Sequence, residues 1–182
     1  MKKQILLSLT CSISIFSALL FSPIAQEAFG QSSLKALLLY WHSGREDNFI
    51  TTKERAAEPN RGGTAADMGY EYAQNEACVL SSSQPDTSAL KLYWSEERQD
   101  NFSTATTVGQ KSAVDAGYRY VGIDGYVFTT QKPGTVPLNL YWNAGRGDNM
   151  TTASAAGIQA AKDAGYNFVR TEGYVYPANQ CQ

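Results

Sequence analysis

The chain has 182 residues, 15 basic and 17 acidic side chains and a net charge of −2, with no basic run anywhere. That charge balance makes nucleic acid and anionic membrane surfaces poor partners. Three cysteines and one histidine leave little material for a metal centre built on thiolate and imidazole ligands.

The first segment reads as a secretory leader. Lys2 and Lys3 precede an apolar run from Ile5 to Phe21, and small residues follow at Ala25, Ala28 and Gly30. Hydroxyl residues dilute the run and no positive stop-transfer flank follows it. Cleavage after Gly30 is expected, leaving residues 31–182 as one domain without a membrane span, secreted to the extracellular space or the periplasm. Loss of Lys2, Lys3 and Glu27 lowers the counts of 15 basic and 17 acidic side chains to 13 and 16. Cys11 leaves with the leader. Cys78 and Cys181 remain, and in an oxidising compartment they are expected to form a disulfide.

The mature region is an internal repeat. "LLLYWHSGREDNFITT" from Leu37, "LKLYWSEERQDNFSTA" from Leu90 and "LNLYWNAGRGDNMTTA" from Leu138 align, and each continues through "GY" to "ACVL", "GYVF" or "GYVY". The repeats span about 37–80, 90–128 and 138–176, and "EPNRGG" expands the first. Leu90, Leu92 and Trp94, like Leu138, Leu140 and Trp142, alternate with polar residues or tyrosine, the period of a half-buried strand whose Leu-x-Leu-x-Trp face points inward. A polar turn and a Thr-rich second strand follow. "SAAGIQAAKDAGY" is expected to be a short helix capped by Ser154 and closed by Gly165. "YRYVGIDGYVF" and "YNFVRTEGYVYP" are expected to give two more strands, with tight turns at Asp124-Gly125 and Glu172-Gly173. The expected fold is mainly β (α+β): three strand-strand-helix-strand-strand units around a pseudo-threefold axis, β-trefoil-like, with a compact three-bladed propeller-like ring as the alternative.

The order Leu-Tyr-Trp, Asp-Asn-Phe/Met, Thr-Thr, Ala-x-x-x-Gly-Tyr, Glu-Gly-Tyr-Val-Tyr resembles a repeat family of uncharacterised function in secreted bacterial and fungal proteins. Repeats there read roughly Tyr-x-x-Tyr-Asn, Gly-Asp-His-Phe-Tyr-Thr and Gly-Tyr, often beside hydrolase domains. The resemblance covers most of Leu37 to Tyr176 and implies an accessory binding role rather than catalysis. Asn48, Asn101 and Asn149 stand where the family has histidine, so no role of that histidine carries over.

Arg-Gly-Asp at 146–148 is an adhesion tripeptide by pattern, but the repeat writes it as Arg-x-Asp with Glu46, Gln99 or Gly147 in the middle. It therefore belongs to the repeat. Asn101-Phe102-Ser103 and Asn149-Met150-Thr151 match glycosylation acceptors. His42 has Ser95 and Asn143 as counterparts, which leaves a His42/Cys78 nucleophile in one repeat only. Asp67, Asp115 and Asp163, near helix C-termini, call for an offsetting partner.

The ligand-binding set expected from this pattern is Tyr40, Arg45, Asp47 and Asn48, recurring as Tyr93, Arg98, Asp100 and Asn101 and as Tyr141, Arg146, Asp148 and Asn149. Amides, carboxylates and outward tyrosines together suit a sugar. The sequence is thus read as a lectin-like, non-catalytic module with three equivalent sites for a glycan or cell-surface polysaccharide, with no catalytic residues, metal or cofactor. The alternatives are a structural or protein-interaction module, such as a matrix component or an inhibitor with a protein partner, and a small hydrolase.

Overall fold

The computed structural model describes residues 33–52 and 65–181; the leader, Cys11 and the "EPNRGG" insertion lie outside them. The described residues form a mainly-β, antiparallel nine-stranded sheet with two helices. Each repeat supplies three strands. The first supplies β1 (Leu34–His42), β2 (Asp47–Thr51) and β3 (Glu71–Leu80). The second supplies β4 (Thr87–Ser95), β5 (Asp100–Thr104), helix α1 (Thr107–Asp115) and β6 (Arg119–Phe128). The third supplies β7 (Val136–Asn143), β8 (Asp148–Thr152), helix α2 (Ala155–Asp163) and β9 (Asn167–Pro177).

Within each repeat the first strand sits between the other two. β1 pairs with β2 and β3, β4 with β5 and β6, and β7 with β8 and β9. The three long strands also meet one another near their C-terminal ends, through Leu80 opposite Tyr126, Phe128 opposite Tyr174 and Cys78 opposite Tyr176. Leu37, Leu90, Leu138, Ala77, Val79, Val127 and Val175 fill the core between the repeats, so no single unit buries its own apolar face. Cys78 and Cys181 are disulfide-bonded with Cα atoms 5.5 Å apart. The bridge ties the end of the chain to β3.

Two differences from the sequence reading have a physical cause. The expected pair of strands after the helix is one continuous strand, and Asp124 and Glu172 are bulged residues within it rather than turns: Leu90 faces Gly125 while Lys91 faces Ile123, and Leu138 faces Gly173 while Asn139 faces Thr171. Glu76 occupies the same bulge in β3. A bulge places one extra residue against the partner strand and re-aims its side chain, and here all three bulged residues are acids. In the first repeat the expected helix is, among the described residues, a 3-10 turn at Ala66–Met68.

The acids explain the helices. Glu172 accepts hydrogen bonds from the Thr104 and Thr106 hydroxyls and from the backbone N–H groups of Ala105 and Thr106, where β5 passes into α1. Glu76 does the same for Thr152, Ala153 and Ser154 before α2, and Asp124 binds Thr51 and Thr52. Each repeat's acid thus holds the preceding repeat in a cycle. Thr106 and Ser154 cap the helices by accepting from Gly109 N–H and Gly157 N–H. Glycine is required there, because a Cβ would lie 1.9 Å from Thr104 Oγ1 at position 109 and 2.1 Å from Thr152 Oγ1 at position 157.

Candidate functional site

The Arg-x-Asp-Asn turns meet at the end of the molecule opposite the long-strand junction. Each turn is fixed by the last residue of the preceding strand: His42 Nδ1, Ser95 Oγ and Asn143 Oδ1 accept from the backbone N–H of Arg45, Arg98 and Arg146. His42 is therefore one of three interchangeable turn acceptors, which accounts for a histidine in one repeat only.

Asp47, Asp100 and Asp148 are buried, and one carboxylate oxygen from each lies within 4.8 Å of the others. Tyr70, Tyr118 and Tyr166 donate short hydrogen bonds to the aspartate of their own repeat. Asn101, Asn149 and Asn48 each donate to the aspartate of the preceding repeat, at 2.9, 2.9 and 3.3 Å. The result is a closed polar ring. Burial first, and then the charge of Asp148, pushes the Asp47 carboxyl up to about 7. Asp100 is raised for the same reasons, with Asp47 adding to the repulsion. Burial, followed by the adjacent aspartate, keeps the Tyr70, Tyr118 and Tyr166 phenols protonated. The three aspartates are also the acidic cluster, among the described residues, whose oxygens converge closely enough to share a cation. The Oδ2 atom of each already accepts from a tyrosine hydroxyl and an asparagine amide.

The arginines face outward from this ring. Each guanidinium lies between the tyrosine of its own repeat and the tryptophan of the next: Arg45 between Tyr70 and Trp94, Arg98 between Tyr118 and Trp142, and Arg146 between Tyr166 and Trp41, all at 5.6–5.7 Å from the ring centres. Guanidinium–aromatic contacts of this kind contribute about 0.5–1 kcal/mol at exposed sites and more when desolvated.

Two of these seams open as grooves. One, of about 490 Å³, is lined by Trp41, Asn48, Gln74, Arg146 and Tyr166 over a floor of small α2 residues. The other, of about 250 Å³, is lined by Trp142, Asn149, Arg98, Arg170 and Tyr118 beside α1. At the third seam Trp94 is fully buried, and its indole N–H donates to Glu96 at 3.1 Å.

The structure redistributes the residues expected to form sites. The expected sets joined each arginine to the asparagine of its own repeat; the grooves instead bring Arg146 beside Asn48 and Arg98 beside Asn149, the asparagine of the next repeat, with Asp47, Asp100 and Asp148 in the buried ring. Tyr40, Tyr93 and Tyr141, expected to face outward, are buried, and their rings pack against Tyr72, Tyr120 and Phe168. The aromatic surfaces of the grooves belong instead to Trp41 and Tyr166 and to Trp142, Tyr118 and Phe102, and the two indoles, expected to face inward, are half-buried. Asn101 and Asn149 are buried with their amides bonded, which removes both as glycosylation acceptors in the folded protein. Arg146 is held between two rings and Asp148 is buried, so the Arg-Gly-Asp stretch is not displayed as an adhesion loop. Asp115 pairs with Lys111 and Asp163 accepts from Gln159, the partners those helix-end acids called for.

A family model matches residues 36–176. The chain belongs to the family described as "Domain of unknown function (DUF5648)". No curated protein and no solved structure matches it. Among the described residues, no helix is long and apolar enough to cross a membrane.

Proposed function

We propose that this chain is a secreted, non-catalytic, lectin-like module that binds a glycan or cell-surface polysaccharide in the grooves between its repeats. The finer architecture that goes with this reading is three units around a pseudo-threefold axis, β-trefoil-like, with the Asp47–Asp100–Asp148 ring on the axis. The observation that carries the reading is the recurrence, in two seams, of an indole, a guanidinium and an asparagine in one concave surface. An indole face covers the apolar C–H side of a sugar ring, while a guanidinium hydrogen-bonds its hydroxyls. Two weak sites on one module gain apparent affinity on a repetitive polymer, which suits polysaccharide better than a free monosaccharide. The disulfide is compatible with an oxidising, extracellular setting.

A second reading, a protein-interaction module, draws support from Tyr72, Tyr120 and Phe168, equivalent rings that are all more than half exposed. Binding of purified protein to insoluble polysaccharides and a glycan array separates the two. The glycan reading expects saturable retention that Trp41→Ala and Trp142→Ala each reduce and the double variant abolishes. Retention unchanged in the double variant, or absent from every glycan, refutes it.

A further inference from the structure

The two open grooves are not alike in charge. In the groove of Trp41, Arg146 Nε lies 3.6 Å from Glu46 Oε2, and the position beside it on β3 is neutral Gln74. Glu46 is the middle residue of the first Arg-x-Asp turn and faces the arginine of the preceding repeat. By the repeat correspondence its counterpart beside Arg98 is Gly147, which has no side chain, and a Cβ built on it meets nothing within 4 Å. Arg98 is exposed and, among the described residues, pairs with no carboxylate. The counterpart of Gln74 on β9 is Arg170. It lines the same groove, 5.9 Å from the centre of the Phe102 ring, but its Nε is paired with the buried Glu172 Oε1 at 2.7 Å and its Nε and Nη2 are buried, so its charge is already met and Arg98 is the cation left for a ligand. Among the described residues, no acidic side chain lines that groove.

Resting on the glycan reading above, we propose that the Trp142 groove takes an acidic sugar, a uronic acid whose carboxylate meets the Arg98 guanidinium while its ring lies against the Trp142 indole. A planar guanidinium matches a carboxylate in two parallel hydrogen bonds. A concave surface with one sign of charge concentrates the opposite ion even on a protein of net negative charge. The Trp41 groove, with its arginine already paired, takes a neutral sugar.

The test titrates the purified chain with oligosaccharides of galacturonic acid and of glucuronic acid, each beside the same oligosaccharide after carboxyl reduction, by isothermal titration calorimetry. At least one acidic oligosaccharide binds about tenfold more tightly than its reduced form, as expected for one charge-assisted carboxylate contact. One substitution copies the other groove into this one: Gly147→Glu supplies the residue found at position 46. Glu46 already occupies a left-handed backbone there, at φ 52°, so the change suits the fold. It is expected to bring the acidic-to-reduced ratio close to one while the reduced oligosaccharide binds as before. Equal binding of acidic and reduced forms, both lost in Trp142→Ala, overturns the acidic specificity and leaves the glycan reading standing. A preference that survives Gly147→Glu also overturns it. Absence of binding by all four oligosaccharides, together with a blank glycan array, overturns both.

Discussion

Replacing Glu76 with alanine is expected to cost about 4 kcal/mol of stability without touching either groove's aromatic or cationic groups. Glu76 is buried and bulges from β3 to accept from the Thr152 hydroxyl, from Ala153 N–H at 2.7 Å and from Ser154 N–H at 2.6 Å. Its second oxygen accepts from Ser154 Oγ at 3.2 Å and Gln74 Nε2 at 2.8 Å. Alanine leaves two backbone N–H groups and a buried hydroxyl without an acceptor, and each unsatisfied buried group costs about 1–3 kcal/mol. The two N–H groups alone give about 4 kcal/mol, which for a domain of this size is a fall in Tm of about 8–16 °C. Glu76→Gln keeps one acceptor oxygen and should lose about half as much. Urea unfolding followed by tryptophan fluorescence measures both. Amide exchange at Ala153 and Ser154 should rise in the alanine variant beyond the loss of global stability. A cost below about 1 kcal/mol for Glu76→Ala would refute the argument that this acid clamps one repeat onto the next.

The helix-start glycines give a second expectation. Gly157→Ala and Gly109→Ala should each destabilise by more than about 3 kcal/mol in thermal unfolding, although alanine is the better helix former, because the new Cβ meets a threonine hydroxyl at about 2 Å. The aspartate ring gives a pH dependence. The Asp47 carboxyl is raised from 3.8 to about 7 by burial and by Asp148, so its contribution is full below about pH 4 and is lost as pH rises through about 7. A shift of that size is worth on the order of 4 kcal/mol. Calorimetry from pH 4 to 8 should therefore find Tm falling with pH, and falling less steeply in Asp47→Asn. A Tm that rises over this range contradicts the sign.

Much of the architecture was readable because the repeat is written three times. The Leu-x-Leu-x-Trp strand, the hairpin at Arg-x-Asp, the Ser154 cap and the left-handed Gly165 follow from local periodicity and backbone chemistry, and the structure contains each. What local reading missed is contact between repeats. Glu-Gly and Asp-Gly look like turn dipeptides, but Glu172 and Asp124 sit in bulges because their partners lie on another repeat's threonines, more than sixty residues away in sequence. Tyr40 and Trp41 alternate on a strand, and the leucines on the tryptophan's face suggest Trp41 in and Tyr40 out. The packing reverses this, burying Tyr40 against Tyr72 and leaving Trp41 half-exposed against the arginine of a different repeat. The acid that precedes Gly-Tyr-Val in two repeats and Ala-Cys-Val in the first, and the tyrosine of Gly-Tyr, recur in the sequence, and a search for recurring acids opposite recurring hydroxyls would have singled them out.

The most direct test of groove binding uses the three indole N–H signals of Trp41, Trp94 and Trp142 in a proton–nitrogen NMR spectrum, assigned by single Trp→Phe variants and followed during titration with a retained glycan. The account predicts that the Trp41 and Trp142 signals move and saturate, while Trp94, fully buried and bonded to Glu96, stays in place. Saturable binding that leaves the Trp41 and Trp142 signals unmoved would contradict it.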